Sequence, residues 1–390
     1  MKNLGIYIHI PFCIKKCLYC DFLSFENTEK SAHTKYIEAL VREIEYYGKL
    51  YGKNVTVDSV FIGGGTPTLI EANLISYALN SLRKYFMVSG DAEITIECNP
   101  KTISEEKLLE YRKSGINRIS IGVQTLDDST LKSLGRVHRA LDAEETYKLA
   151  REYGFQNINL DLMFAVPGHK MATWIETLNK AILLEPEHIS FYSLQLEEGT
   201  RFFEMYQNEE FEMVSEKIDR EMYHHAVNFL TGNGYHHYEI SNCAKVGFEC
   251  KHNLKYWSLE NYLGLGIGAH SFIDGTRFSN TRQMEKYISA LNEPMNSNLP
   301  GNAQWVDWLQ TNSKQDQIVD FMITGLRKTQ GIDLNEFKSR FGVSLFEAYQ
   351  NQEKQIIDYI KNGFMVMEEN MLRFTVKGID ISNTVLSEFV

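Results

Sequence analysis

Residues 5–20 read GIYIHIPFCIKKCLYC. The first six alternate isoleucine with tyrosine and histidine, which predicts a β-strand over 5–10. Cys13, Cys17 and Cys20 follow within eight residues, and the chain continues as Asp21-Phe22 without a fourth nearby cysteine. Three chemistries compete for this Cys-x3-Cys-x2-Cys spacing. A structural zinc site closes with four ligands, and the nearest candidate for a fourth, His9, is committed by the alternation of its strand. A redox dithiol uses only Cys17 and Cys20 and leaves Cys13 unexplained. An iron–sulfur cluster held by three thiolates leaves one iron open, although the usual set is four cysteines. An open metal position is where a substrate or cofactor binds, as in catalytic zinc sites.

The pattern repeats outward from this stretch. Strand-like runs recur at 59–65, 93–98, 118–124, 157–164 and 188–196, rich in Ile, Val, Phe and Tyr. Helical patterns lie between them, with Ser104 placed as an N-cap and Gly115 and Gly154 placed as helix stops. Six βα repeats imply parallel strands with right-handed crossovers. Six is short of the eight of a closed barrel, so the fold class is α/β, a partial (β/α)6 barrel. Polar and glycine residues gather at the carboxyl ends of the strands, the rim where such folds place their chemistry.

The later chain reads differently. Three regions are expected: a barrel over 1–200, an α+β extension over 201–300, and a small winged-helix-like domain over 301–390. Residues 301–310, beside Pro300, read as a linker. Residues 311–390 carry nine basic and eleven acidic side chains, unlike a DNA-reading wing, so a packing or partner role is expected there. The whole chain of 390 residues has a net charge of −11, which argues against a general nucleic-acid binder. No apolar run reaches the length of a membrane span, and the N-terminus lacks the pattern of a signal peptide. Six cysteines without a secretory signal point to the cytoplasm and to metal or catalysis rather than disulfides.

The cysteine spacing after the first strand, together with GGGTPT (63–68), resembles the radical SAM superfamily. That resemblance implies a [4Fe–4S] cluster on Cys13, Cys17 and Cys20. It also implies S-adenosylmethionine (SAM) on the open iron, cleaved by an electron from the cluster to a 5′-deoxyadenosyl radical. IECNP, IGVQ and DLMFAVPG narrow the likeness to the coproporphyrinogen dehydrogenase (HemN-like) group over essentially the whole chain. Carried over position by position, it places SAM contacts at Tyr7, Tyr19, Gly64, Gly65, Thr66, Glu97, Gln124, Arg136, Asp161 and Gln195. Asp161 also stands inside an apolar strand, where a charge needs a partner.

Two branches share this body. The dehydrogenase branch continues its cluster motif with Gly-Cys and carries an N-terminal extension, and it decarboxylates coproporphyrinogen propionates oxidatively. The haem-chaperone branch, HemW-type, has Asp-Phe there and an H-N-x-x-Y-W motif. This chain has Asp21-Phe22, begins at the first strand and reads HNLKYW over 252–257. The resemblance therefore implies a haem carrier that delivers to a client haemoprotein, a respiratory enzyme among the candidates. It would be cytoplasmic and peripheral to a membrane only through that client, with a homodimer left open. His252 is the expected haem contact, since neutral imidazole is a standard axial ligand, with Tyr256 and Trp257 offering flat faces. Cys250 is a secondary haem or redox candidate, and Cys98 reads as a small buried hydrophobe. GLGIGAHS (264–271) is glycine-rich but does not fit the dinucleotide pattern.

Overall fold

The computed structural model describes residues 1–26, 28–293 and 303–390. Six parallel strands lie side by side in chain order: β1 (Lys2–Ile10), β2 (Val55–Gly64), β3 (Met87–Cys98), β4 (Arg118–Gln124), β5 (Ile158–Phe164) and β6 (His188–Ser193). Helices α1 (Lys30–Tyr51), α2 (Ala72–Tyr85), α3 (Glu105–Lys113), α4 (Ala140–Glu152) and α5 (Met171–Leu183) make the crossovers. Ser104 caps α3 by accepting from the Lys107 N–H, and Gly115 follows its end at φ +80°.

Alternation along each strand assigns its two faces. Ile119, Ile121 and Val123 of β4 join the apolar core with the helices, whereas Arg118, Ser120, Gly122 and Gln124 line an interior cavity. β5 repeats this, with Leu160 and Leu162 in the core and Asn159, Asp161 and Met163 on the cavity. Closed barrels fill this interior with branched apolar side chains. Here it is polar, as befits a binding chamber.

The sheet does not stop at six strands. After α6 (Glu216–Gly232), the hairpin β7 (His236–Glu239) and β8 (Asn242–Ala244) extends it antiparallel beyond β6. After α7 (Lys251–Trp257), strand β9 (Tyr262–Leu265) returns to the opposite edge and pairs parallel with β1. Antiparallel strands β10 (His270–Ile273), β11 (Thr276–Asn280) and β12 (Val306–Thr311) then complete a twelve-stranded sheet, ordered β12-β11-β10-β9-β1-β2-β3-β4-β5-β6-β8-β7. Glycine makes the β9–β10 corner possible. A Cβ on Gly264 would lie 2.2 Å from the His270 carbonyl oxygen. Buried Glu43 of α1 pins the corner, accepting from the Gly266 N–H at 2.7 Å and from Asn280 Nδ2 at 2.6 Å.

The expected linker over 301–310 is not one. Pro300 and Gly301 lie outside the described residues, but Trp305 is 2% exposed and packs edge-on to Tyr46 at 5.0 Å. Residues 306–311 form an edge strand whose side chains are mostly exposed, which is why they read as loop. The C-terminal region has its own apolar cluster, including Phe321, Phe337 and Phe341, which Leu259 and Phe272 also join. Its three-stranded sheet of β13 (Ile332–Asp333), β14 (Met365–Glu368) and β15 (Met371–Phe374) runs in the order β13-β15-β14 among helices, a winged-helix-like arrangement. No helix among the described residues is long and apolar enough to cross a membrane.

Candidate functional site

The inward faces of the parallel strands and the cysteine loop enclose a cavity of about 530 Å³. Cys13, Cys17 and Cys20 stand at its mouth, the first buried and the other two half-buried, all as free thiols. Burial pushes the Cys20 thiol up to about 11. Metal binding to such thiols displaces protons.

The glycine loop after β2 is shaped by close approach. Gly64 has φ +114°, and a Cβ there would lie 2.5 Å from the His9 ring. A Cβ on Gly65 would lie 2.8 Å from the Phe12 carbonyl oxygen and 3.1 Å from Cys13 Sγ. The loop therefore presents bare backbone beside the thiols. Thr66 Oγ1 lies 3.6 Å from Cys13 Sγ and accepts from Asn99 Nδ2 at 2.7 Å. Asn99 Oδ1 in turn accepts from Arg136 Nη2 at 2.6 Å. Arg136 also donates to the Gly122 carbonyl at 2.6 Å and sits 3.4 Å from Cys17 Sγ, so a fixed guanidinium borders the cysteine loop.

Deeper in, Glu97 at the end of β3 accepts from the Gly64 N–H at 3.0 Å. Burial, and then the neighbouring Asp161 charge, push its carboxyl up to about 8. Asp161 accepts from Ser120 Oγ at 2.9 Å and Asn159 Nδ2 at 2.7 Å, so the charge expected to need partners has them. Burial raises its carboxyl above the usual range. Gln124 faces the cavity from a left-handed backbone, φ +65°, at the end of β4, and Gln195, beyond β6, lines the cavity as well. Tyr7 and Tyr19 complete the wall. All ten positions carried over as SAM contacts thus line one chamber with the three cysteines.

The structure does not bring His252 there. It is 1% exposed, its Nδ1 lies 3.0 Å from Ser59 Oγ and its Nε2 2.9 Å from the Tyr256 hydroxyl. Burial, and then Lys255, lower its pKa to about 3. Both ring nitrogens are engaged, and α7 turns Asn253 rather than His252 to the cavity. Cys250 is fully buried with its Sγ 3.5 Å from Glu93 Oε1, and lines neither this cavity nor the cleft beside it. Trp257 lies under the Arg327 guanidinium at 5.4 Å. The sequence reading missed Arg118, Ser120, Asn159, Ser190 and Tyr192, which line the cavity. Their signal was present: they alternate with apolar residues in RISIGVQ, NINLDLMF and HISFYS.

Comparison with known proteins agrees with this layout. The Radical SAM superfamily matches residues 7–181, and the HemN C-terminal domain matches residues 312–381. The chain is 36% identical over 385 residues to the heme chaperone HemW of Bacillus subtilis, covering 98% of each chain. It is 32% identical to the heme chaperone HemW of Lactococcus lactis, covering 100% of this chain and 98% of that one. Coproporphyrinogen III oxidase (HemN) from Escherichia coli has the same fold, with a TM-score of 0.84 at 24% identity over 100% of this chain and 90% of that one.

The superfamily implies a [4Fe–4S] cluster and SAM, and the residues fit them. Three thiols on one cavity are the cluster's donors, the glycine loop packs tightly on His9, Phe12 and Cys13 beside them, and the Arg136 guanidinium next to Cys17 suits a carboxylate. Among the described residues no three His, Cys, Asp or Glu side chains converge on a single-ion site. Thiolates that each take a different iron need no such convergence. Near-complete coverage at 36% identity places this chain in the HemW heme-chaperone family of the radical SAM superfamily.

Proposed function

We propose that this protein binds haem and hands it to a client haemoprotein, using a radical SAM body that holds a [4Fe–4S] cluster and SAM. The observation that carries the proposal is likeness along nearly the whole chain to relatives named as heme chaperones. Asp21-Phe22 and HNLKYW support it. In this reading residues 1–200 hold the cluster on Cys13, Cys17 and Cys20 and SAM against the chamber wall. Residues 201–300 contribute to the haem side, and residues 301–390 meet the client, a respiratory haemoprotein being the expected class. The protein works in the cytoplasm and reaches a membrane only through that client.

When bound, the cluster supplies one-electron reduction at the rim. The chain's own residues do the rest. Arg136 offers a planar guanidinium to a carboxylate, and the bare backbone of Gly64 and Gly65 admits a ligand closely. Glu97 is mostly protonated near neutral pH, and a cationic ligand draws that proton off. Buried His252 holds the Tyr256 hydroxyl and so acts by positioning rather than by ligating iron.

The test is an anaerobic haemin titration of the cluster-reconstituted protein, followed by mixing with an apo-cytochrome. Saturable binding and transfer to the acceptor are expected. Absence of saturable binding, with conversion of coproporphyrinogen III to protoporphyrinogen, would replace the carrier with the dehydrogenase.

A further inference from the structure

A second cavity of about 410 Å³ opens on the other side of Tyr7. The cysteine loop forms one wall through Asp21 and Phe22, and the β9–β10 corner forms the other. Asp21 and Phe22 border the first chamber as well. The wall chemistry is unlike the first chamber's. Phe22 is 57% exposed, a large apolar face open to water. Tyr256 and Tyr262 stand edge to face, ring centres 4.6 Å apart. Arg282 has no ion-pair partner among the described residues, although it is exposed at the cleft.

Two imidazoles line this cleft and they are not equivalent. His9 is buried, with Nε2 2.9 Å from the Leu23 carbonyl oxygen and Nδ1 3.0 Å from the Tyr7 hydroxyl. His270 opens β10, is exposed, and makes no side-chain hydrogen bond among the described residues. Its backbone is fixed all the same: it pairs with Ser279, and its carbonyl packs on Gly264. Partial desolvation by the walls, and then the charges of Arg282 and Arg277, hold His270 below the ordinary histidine value, so the ring is neutral at pH 7. A neutral imidazole with a free nitrogen is an iron ligand. Flat aromatic and apolar walls suit a macrocycle, and an unpaired guanidinium suits a carboxylate.

We infer that this cleft is the haem site, with His270 as the axial ligand to iron, Arg282 on a propionate, and Phe22, Tyr256 and Tyr262 against the porphyrin. The inference rests on the haem-carrier reading and gives it a place. It also gives the GLGIGAHS segment (264–271) its purpose: the glycines fold the strand back so that His270 faces the cleft.

The experiment titrates ferric haemin into cluster-reconstituted wild type, His270→Ala, His270→Met, Arg282→Gln and His252→Ala, followed at the Soret band, with circular dichroism as the fold control. His270→Ala is expected to weaken binding at least about tenfold and to move the Soret maximum, with imidazole restoring the wild-type position. His270→Met is expected to keep a ligand but give a different spectrum. Arg282→Gln is expected to weaken haemin binding several-fold without affecting haemin dimethyl ester. His252→Ala is expected to keep the Soret position, because no iron ligand is lost, while weakening binding less than His270→Ala does, through the released Tyr256. Wild-type binding that His270→Ala and His270→Met leave unchanged in affinity and spectrum would overturn the assignment while the carrier reading stands. No saturable binding by wild type would overturn both.

Discussion

The two cavities on either side of Tyr7 are built on opposite plans. In the barrel chamber a connected network braces much of the wall, Asp161 by Ser120 and Asn159, Thr66 by Asn99, Asn99 by Arg136, while the Nε of buried Arg118 stays unpaired. In the flanking cleft His270, Arg282 and Phe22 stand exposed. A closed network holds geometry for a resident group and costs little reorganisation when it binds. Exposed, unpaired groups take and release a passing load, because nothing else competes for them. The contrast suits a resident cofactor on one side and a cargo on the other.

The largest effect that sharpens this contrast lies at the mouth of the chamber. Cys17→Ser is expected to abolish the cluster's absorption near ~400 nm after reconstitution while far-ultraviolet circular dichroism stays unchanged. Retained iron and spectrum would remove Cys17 from the ligand set.

A smaller but still large effect is expected behind the wall. His252→Ala removes a buried ring bonded at both nitrogens, and unfolding in denaturant is expected to show a loss of about 2–3 kcal/mol. A fully stable variant would mean that His252 is not the buried anchor described here.

Next comes a pH effect from Glu97. Its folded pKa, about 8, lies above the ordinary value of 4.5. Its favourable contribution is complete below about pH 4.5 and is lost as pH rises toward 8. Glu97→Gln is therefore expected to raise Tm by about 2 °C or more at pH 8.5 and to leave it nearly unchanged at pH 5. Parallel curves for the two proteins would show that Glu97 is not held protonated. The smallest effect falls in the cleft, where Arg282→Gln is expected to move Tm by less than about 1 °C. A larger shift would mean that the cleft is a braced structural element, and the comparison would fail.

Much of this was legible in the sequence, for identifiable reasons. The strand at 5–10, the βα period and the cysteine spacing are local signals, and the strand-end residues Glu97 and Gln124 stand where the rim was expected. The inner lining was equally written in RISIGVQ, but an alternation of Arg, Ser, Gly and Gln with Ile and Val reads as half-exposed unless the strand is known to wall a chamber. Strand β9 was missed because four residues, Tyr262–Leu265, followed by glycines give no run to recognise. Strand β12 reads as a linker because an edge strand with exposed side chains lacks the apolar face that marks a strand. His252 reads in the sequence as a haem contact because residue type announces what a side chain can do. Only the fold tells that Ser59 and Tyr256 already occupy both of its nitrogens.

Tyr7, Asp21 and Phe22 belong to both cavities at once, and Asp21 follows directly on Cys20. They form a party wall between two tenants. Any displacement of that wall by one occupant is felt by the other without a relay through the rest of the molecule. Coupling between two bound groups is reciprocal: by whatever factor a filled chamber tightens the hold on the cargo, the cargo tightens the hold on what fills the chamber.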